Sequence, residues 1–191
     1  AKPLSGAAGK VWSYSSGTAV ILSRLWQDAV GDRDKALAWP RQALFSPLGM
    51  TSAVLETDEH GTYVGSSYLY ATARDWARFG QFLLQDGVWN GKAILPQGFV
   101  GWMREPAPAS GGVYGRGQLW IEAPGDEDRP GAGAAAGLPP DTFWLEGHDG
   151  QTVAVIPSRR MVAVRMGLTP GKLGYRPQKL VKALLGALPP Q

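Results

Sequence analysis

Two short stretches of this sequence carry side chains that could do chemistry. In "WSYSSG", Tyr14 and Ser16 stand two residues apart at the predicted start of a helix. A helix N-terminus presents unpaired amide donors and a positive dipole end, which would stabilise an ionised tyrosine and let it act as a base. The alternative is that Ser16 only caps the helix while Tyr14 packs. Taken by itself, the stretch favours that alternative.

The second stretch is His148-Asp149-Gly150-Gln151, which precedes two apolar runs. Gly150 would let a ligand approach the backbone, and the amide of Gln151 would then point out from a sheet edge. An amide in that position could stabilise an oxyanion. The alternative is a histidine in a turn before a strand, and the stretch by itself favours this simpler reading.

Several other kinds of chemistry find no support. The chain has no cysteine, and His60 and His148 lie far apart without a His-Glu-x-x-His motif, so no metal or cofactor is predicted. Gly-rich phosphate loops and a Gly-x-Ser-x-Gly elbow are absent from the sequence. A net charge of +3 with scattered basic residues does not favour nucleic acid as a partner. No apolar run approaches the roughly 18 residues that suggest a transmembrane segment.

Periodicity predicts the elements that must position these residues. Helices are predicted over 16–31, 34–44, 72–87 and 177–188, with one or two helical turns over 96–103. We expect Ser16 or Thr18 to cap the first helix and Gly31 to end it. Strand-like runs are "YGRGQLWIE", "TFWLEG", "QTVAVIP" and "MVAVRMGL". The last two should form a hairpin with both faces covered, because neither alternates between apolar and polar residues.

The order of these elements indicates an α+β domain or an α/β sandwich of an antiparallel sheet with helices. Residues from about 11 to 110 would form a mainly helical part, and residues from about 111 to 191 the strands and a C-terminal helix. The Gly/Ala/Pro-rich segment 123–140 is expected to be a flexible surface loop. Three or four strands with one covering helix make a thin sheet, so part of the core must come from elsewhere.

The order and spacing of four stretches resemble a known family. They are "YSS" near the start, "LGM" at 48–50, residues 66–96, and "GHDGQTVAVIPSRRMVAVRMG" at 147–167. Together they resemble the serine beta-lactamase-like hydrolases, especially the class C-like esterases, D-aminopeptidases and 6-aminohexanoate-dimer hydrolases. The resemblance runs from about residue 11 to residue 188. It implies the beta-lactamase/transpeptidase-like sandwich.

The resemblance also implies roles for single residues. In that family a serine in Ser-x-x-Lys is acylated, a Tyr-x-Asn tyrosine shares the proton transfer, and a Lys/His-x-Gly strand lines the site. Tyr14 matches the tyrosine and Ser16 the asparagine. Ser16 is shorter and offers no amide to a beta-lactam side chain, which favours an esterase or amide hydrolase over a beta-lactamase.

The third motif of the family falls on the second stretch. His148 matches the lysine, Asp149 the middle residue and Gly150 the glycine, while the backbone amide of Gln151 would be one of two oxyanion donors. His148 would then begin the strand that forms a wall of the pocket. It lacks the permanent charge of lysine, which again favours a small-molecule ester, amide or peptide substrate over a beta-lactam.

No serine in the chain is followed three residues later by lysine. The resemblance places Ser-x-x-Lys upstream of the tyrosine motif, so the nucleophile and its lysine are expected outside residues 1–191. The chain would then be the C-terminal part of such an enzyme, lacking the N-terminal strands and the nucleophile helix. It should be inactive without that N-terminal part.

Two other interpretations stay open. The chain could be a non-catalytic peptidoglycan- or ligand-binding module derived from the same fold, for which its eight tryptophans would be suited. A Ser-His-Asp hydrolase built around His148 is disfavoured, because no serine sits on a recognisable elbow. The sequence does not indicate a compartment, although many relatives in the resembled family act in the bacterial envelope.

Overall fold

The computed structural model describes residues 3–4, 6–122 and 132–188. It combines α-helices with antiparallel β-strands, which confirms the predicted mixed fold class. The chain divides into two compact units, one formed by Tyr14–Phe79 and the other by Ala1–Ser13 with Gly80–Gln191.

The unit Tyr14–Phe79 is mainly helical. Its elements are α1 (Ser16–Val30), α2 (Arg33–Pro40), a π-helical turn (Arg41–Phe45), the paired strands β1 (Val54–Leu55) and β2 (Leu69–Tyr70), and the first residues of α3 (Ala73–Leu84). Both helices predicted before residue 45 are confirmed. The N-cap of α1 is Ser15 and not Ser16 or Thr18, and Gly31 ends the helix with φ 81° as expected.

The start of α3 is fixed by a buried carboxylate. Asp75 is only 2% exposed, and it accepts hydrogen bonds from the amide and the hydroxyl of Ser52 at 2.9 and 2.6 Å. Arg78 Nη1 lies 2.5 Å from its other oxygen. The Asp75 amide donates to Thr72 Oγ1 at 3.3 Å, while the Thr72 amide donates to Ser52 Oγ at 2.9 Å. Ser52 therefore completes the helix cap from another part of the chain.

The second unit contains the main sheet. Its elements after α3 are β3 (Val88–Trp89), β4 (Lys92–Ala93), α4 (Phe99–Arg104), α5 (Ala132–Ala135), β5 (Phe143–Glu146), β6 (Thr152–Ile156), β7 (Met161–Arg165) and α6 (Pro177–Ala187). Strands β5, β6 and β7 form an antiparallel sheet in that order. The turn Asn90-Gly91 joins β3 to β4.

The central strand β6 is covered on both faces, as its uninterrupted apolar sequence predicts. All five of its residues are buried. On one face the backbone of α3 at Gly80 comes so close that a Cβ there would lie 3.0 Å from Val153 Cγ1. On the other face Ala154 and Ile156 share a hydrophobic cluster with Val181 of α6. The turn at residues 147–151 thus precedes a strand that is packed on both faces.

Two expectations need correction. The run 114–122 forms no regular strand and makes only single bridges, such as Trp120 with Trp144. Its glycines let the backbone lie against Met103, because a Cβ on Gly115 would come within 2.2 Å of the Met103 carbonyl oxygen. In the predicted loop 123–140, residues 123–131 lie outside the described part. The remainder contains α5 and the buried Leu138, so that part is not a loose surface loop.

Candidate functional site

The tyrosine motif lies in an extended stretch that leads into α1. Ser15 is the N-cap with φ −146° and ψ 124°, its carbonyl accepts the Thr18 amide at 3.1 Å, and its side chain makes no capping hydrogen bond. Ser16 is the first helical residue. Tyr14 is 61% exposed, so it is not packed in a core. The first turn of α1 contains no acidic residue, so no carboxylate there offsets the positive end of the helix dipole.

The histidine motif lies in the connection between β5 and β6. His148–Gly150 form one tight turn with a left-handed backbone, in which Asp149 and Gly150 have φ values of 51° and 78°. The Gly147 amide donates to the Gln151 carbonyl at 2.7 Å and closes the connection. His148 therefore lies in the turn before β6 and does not begin the strand, because a left-handed backbone at two successive residues cannot continue a β-ladder.

The side chain of His148 faces solvent. It is 83% exposed, and its Nε2 lies 3.2 Å from Asp149 Oδ2. The backbone amide of Gln151 donates to the His148 carbonyl at 3.2 Å, and the Gln151 side-chain amide donates to the same oxygen at 3.1 Å. The backbone bond is at the long end of the normal range for N–H···O. To bind the Gln151 backbone amide, an oxyanion would have to replace the His148 carbonyl as the acceptor.

A buttress of three residues holds this turn in place, and we define it as Arg165, Thr169 and Tyr175. Arg165 is the last residue of β7, and its Nη1 donates to the Gly150 carbonyl at 2.8 Å. The same guanidinium also donates to the Gly167 carbonyl and to Thr169 Oγ1. Its carbon lies 3.9 Å from the centre of the Tyr175 ring, in cation–π contact.

The buttress also explains the glycine of the motif. A Cβ on Gly150 would lie 3.0 Å from Tyr175 Cδ1 and 3.3 Å from Arg165 Nη1, in a backbone conformation that already disfavours other residues. The preceding carbonyl, that of Asp149, accepts the Thr169 amide at 2.7 Å. Burial raises the pKa of Tyr175, and the nearby Arg165 charge acts in the opposite direction. The Tyr175 hydroxyl therefore stays protonated at neutral pH.

The structure brings His148, Gly150 and Gln151 together in one turn, as the spacing requires. Tyr14 and Ser16 lie together at the start of α1 in the other unit. The buttress was not predicted from the sequence. The one available signal was Arg165, a charged residue at the end of the otherwise apolar run "MVAVRMG".

Two further properties concern the described part of the chain as a whole. Within residues 3–4, 6–122 and 132–188, no group of three histidine, cysteine, aspartate or glutamate side chains could hold a metal ion. Over the same residues, no helix is long and apolar enough to cross a membrane.

Known proteins share this architecture and part of this sequence. A solved structure described as a candidate 6-aminohexanoate-dimer hydrolase from Bacillus anthracis superimposes with a TM-score of 0.73 at 26% identity, covering 97% of this chain and 47% of that one. A candidate beta-lactamase from Bacteroides dorei gives a TM-score of 0.66 at 17% identity, over 94% of this chain and 59% of that one, and shows similarity of fold alone.

A sequence relative is an uncharacterised protein of Alkalihalophilus pseudofirmus. It is 30% identical over 102 residues, which are 51% of this chain and 29% of that protein. The chain thus spans less than two thirds of the length of each of these relatives. The family model described as Beta-lactamase matches residues 1–187. Because this match extends over almost the whole sequence, the chain belongs to the beta-lactamase family.

Proposed function

We propose that the full-length protein is a serine hydrolase that cleaves an ester or amide bond through an acyl-enzyme. Membership of the beta-lactamase family supports a hydrolase of this general class. The observation that carries the proposal is the buttressed turn, in which the peptide between Gly150 and Gln151 is held rigidly in front of the central strand β6. Rigid placement of an amide donor is what oxyanion stabilisation requires.

The reaction has two steps. In acylation, a serine hydroxyl attacks the substrate carbonyl carbon, its proton passes to a base, and the leaving group departs with a proton. In deacylation, water attacks the acyl-enzyme and the serine recovers its proton. The nucleophile belongs to a Ser-x-x-Lys motif, which residues 1–191 do not contain, so we place it in another part of the full-length protein.

Tyr14 takes the role of the proton-transfer group, together with the lysine of Ser-x-x-Lys. The residue is 61% exposed, and the uncompensated end of the α1 dipole favours a negative charge near it. Ser16, in the position of the family's asparagine, contributes a short hydroxyl side chain.

The amide of Gln151 takes the role of an oxyanion donor, and the amide of the nucleophilic serine supplies the second one. His148 provides a polar wall without the permanent charge of a lysine. Ser16 in place of asparagine and His148 in place of lysine suit small-molecule esters and amides or peptides better than beta-lactams, whose carboxylate a lysine would hold.

The experiment is labelling with a fluorophosphonate probe, read by intact mass, on the full-length protein and on residues 1–191 side by side. We expect one adduct on the full-length protein and none on residues 1–191, with peptide mapping placing the adduct on a serine of Ser-x-x-Lys. A full-length protein that stays unlabelled, while a known serine hydrolase in the same tube reacts, would contradict the proposal and favour a binding module. An adduct on residues 1–191 alone would overturn the location of the nucleophile.

A further inference from the structure

We propose that Arg165 is a positioning residue that orients and polarises the peptide bond between Gly150 and Gln151, and so makes the Gln151 N–H an effective oxyanion donor. This inference rests on the proposed function, since it names a residue that acts through the donor assigned there. Arg165 would touch neither the substrate nor the nucleophile.

The geometry of the peptide unit links Arg165 to the Gln151 N–H. The carbonyl of Gly150 and the N–H of Gln151 belong to one planar trans peptide unit and point in opposite directions. A donor fixed on the oxygen therefore fixes the direction of the N–H. Arg165 Nη1 is that donor, 2.8 Å from the Gly150 oxygen. The N–H on the other side of the unit donates to the His148 carbonyl at 3.2 Å, so without Arg165 the peptide plane would be held from that side alone, by a bond at the long end of the normal range.

The charge of Arg165 also acts on the peptide electrostatically. A cation hydrogen-bonded to a peptide oxygen withdraws electron density from the amide nitrogen and strengthens the N–H as a donor, as in any polarised hydrogen-bond chain. The contact is partly buried, which reduces screening by water. The positive charge thus lies at the carbonyl oxygen of the peptide unit, and the N–H of the same unit is the proposed donor to the oxyanion.

The guanidinium of Arg165 is itself held in place. It donates to the Gly167 carbonyl and to Thr169 Oγ1, and the Tyr175 ring lies against it. An arginine fork that makes several bonds in fixed directions positions its target more sharply than a lysine ammonium would. Four contacts therefore hold one side chain at the end of β7, a strand whose residues are all half-buried.

The spectroscopic test uses the full-length protein labelled with carbonyl-13C glycine and 15N glutamine, so that only Gly–Gln pairs give cross-peaks. Residues 1–191 contain three such pairs, 80–81, 117–118 and 150–151, and the first two are internal controls. A Gln151→Asn variant assigns the third. In Arg165→Met we expect the 150–151 peak to move upfield in both carbonyl and amide dimensions, because both nuclei lose deshielding, while the controls stay in place.

The kinetic test uses the same variants. Loss of a whole oxyanion donor costs about 10²–10³-fold in kcat, so loss of its positioning in Arg165→Met should cost about 10- to 100-fold in kcat with little change in KM. Arg165→Lys, which keeps the charge without the fork, should recover part of the rate. If Arg165→Met does not fold, Thr169→Val removes one bond to the guanidinium and should show a smaller effect in the same direction.

Two outcomes would overturn the positioning role. One is a 150–151 peak that does not move in Arg165→Met. The other is a peak that moves while kcat stays at the wild-type value. The fluorophosphonate adduct adds a direct check in the wild type, since its oxygen should shift the Gln151 amide proton. A wild-type protein that is never labelled refutes the proposed function instead, and the peak displacement still reports whether Arg165 holds the peptide.

Discussion

Tyr14 is the side chain on which the proposed proton transfer depends, and a single atom tests it. Tyr14→Phe removes only the hydroxyl, so we expect the acylation rate of the full-length protein to fall by about 10²–10³-fold, within the range for loss of a general acid–base group. Stability should change by no more than about 0.5 kcal/mol, because the residue is 61% exposed. The measurement is the rate of fluorophosphonate labelling together with kcat for a p-nitrophenyl ester.

The matched control is Tyr70→Phe, a tyrosine of β2 that is 53% exposed and has no proposed role in the reaction. It should react at the wild-type rate. If both variants retain full activity, the proton passes through another group, and the match of Tyr14 to the family's tyrosine carries no catalytic meaning.

The sequence predicted some residues of the candidate site and missed the others, because their contacts depend on strand pairing. The spacing of His148, Gly150 and Gln151 is local, so one turn had to contain them. Arg165 reaches Gly150 only because the register of the hairpin sets it opposite Thr152 at the end of the sheet. Such a contact depends on strand pairing, which single residues do not reveal.

The carboxylate of Asp75 attaches the start of α3 to Ser52. Burial alone would raise the pKa of this group, but the two hydrogen bonds from Ser52 and the Arg78 charge outweigh it, and the pKa lies below its ordinary value of 3.8. We therefore expect Asp75→Asn to lose about 2 kcal/mol of unfolding free energy at pH 7, the usual scale for hydrogen bonds to a buried charge.

The pH dependence follows from the direction of that pKa. Ionised Asp75 stabilises the fold fully above its unfolded-state pKa, and the contribution disappears as the pH falls below 3.8 towards the lowered folded pKa. The stability difference between wild type and Asp75→Asn, measured by urea unfolding, should shrink over that range. Asp28→Asn, at an exposed ion pair with Arg24, is the control and should cost under about 1 kcal/mol at any pH. A difference in unfolding free energy between wild type and Asp75→Asn that does not change with pH would contradict this account.

The contact of α3 with the sheet depends on a residue without a side chain. A Cβ on Gly80 would lie 2.5 Å from Val162 Cγ1 and 3.0 Å from Val153 Cγ1, and valine side chains have little rotational freedom to yield. Gly80→Ala should therefore cost about 1–3 kcal/mol through overpacking, which outweighs a gain of at most about 1 kcal/mol in helix propensity.

Gly101→Ala provides the opposite case within α4. A Cβ there meets nothing within 4 Å, so the propensity gain should appear as a small rise in melting temperature. Equal effects of the two substitutions would mean that α3 can move away from the sheet without cost.

Elements with a clear apolar pattern could be predicted from the sequence. The conformation of segments whose backbone packs closely against distant residues could not. The apolar stripe of α3 and the apolar runs of β6 and β7 identified them directly. The run 114–122 has strand-like composition, but Gln118 adopts φ 60° and the flanking glycines lie against Met103, so long-range packing overrides the local preference.

For the whole molecule, the sequence predicted a mixed fold with a thin sheet, and the main sheet among the described residues has three strands. Helix α1 also has apolar side chains that are exposed among the described residues. Ser23 is its one buried residue, while Ile21, Leu22 and Leu25 are 62%, 45% and 59% exposed on neighbouring positions of one face. Exposed apolar patches of this kind bind partners or hydrophobic dyes.

We expect residues 1–191 alone to bind the dye ANS through this face of α1. The double variant Ile21→Lys, Leu25→Lys should lower the dye fluorescence and leave the melting temperature of that chain unchanged, since exposed substitutions cost within about 0.5 kcal/mol. Ala29→Lys, at an exposed position of the same helix, adds charge without removing a large apolar side chain and should leave dye binding as it was.

The same double variant should behave differently in the full-length protein. The proposed function places the nucleophile in another part of the full-length protein, and we expect that part to cover the exposed face of α1. Burial of an Ile or Leu side chain contributes about 1.5–3 kcal/mol, so the two lysines together should cost at least about 3 kcal/mol there. Unchanged stability of the full-length double variant would show that α1 stays exposed, and the face would then be free for an external partner.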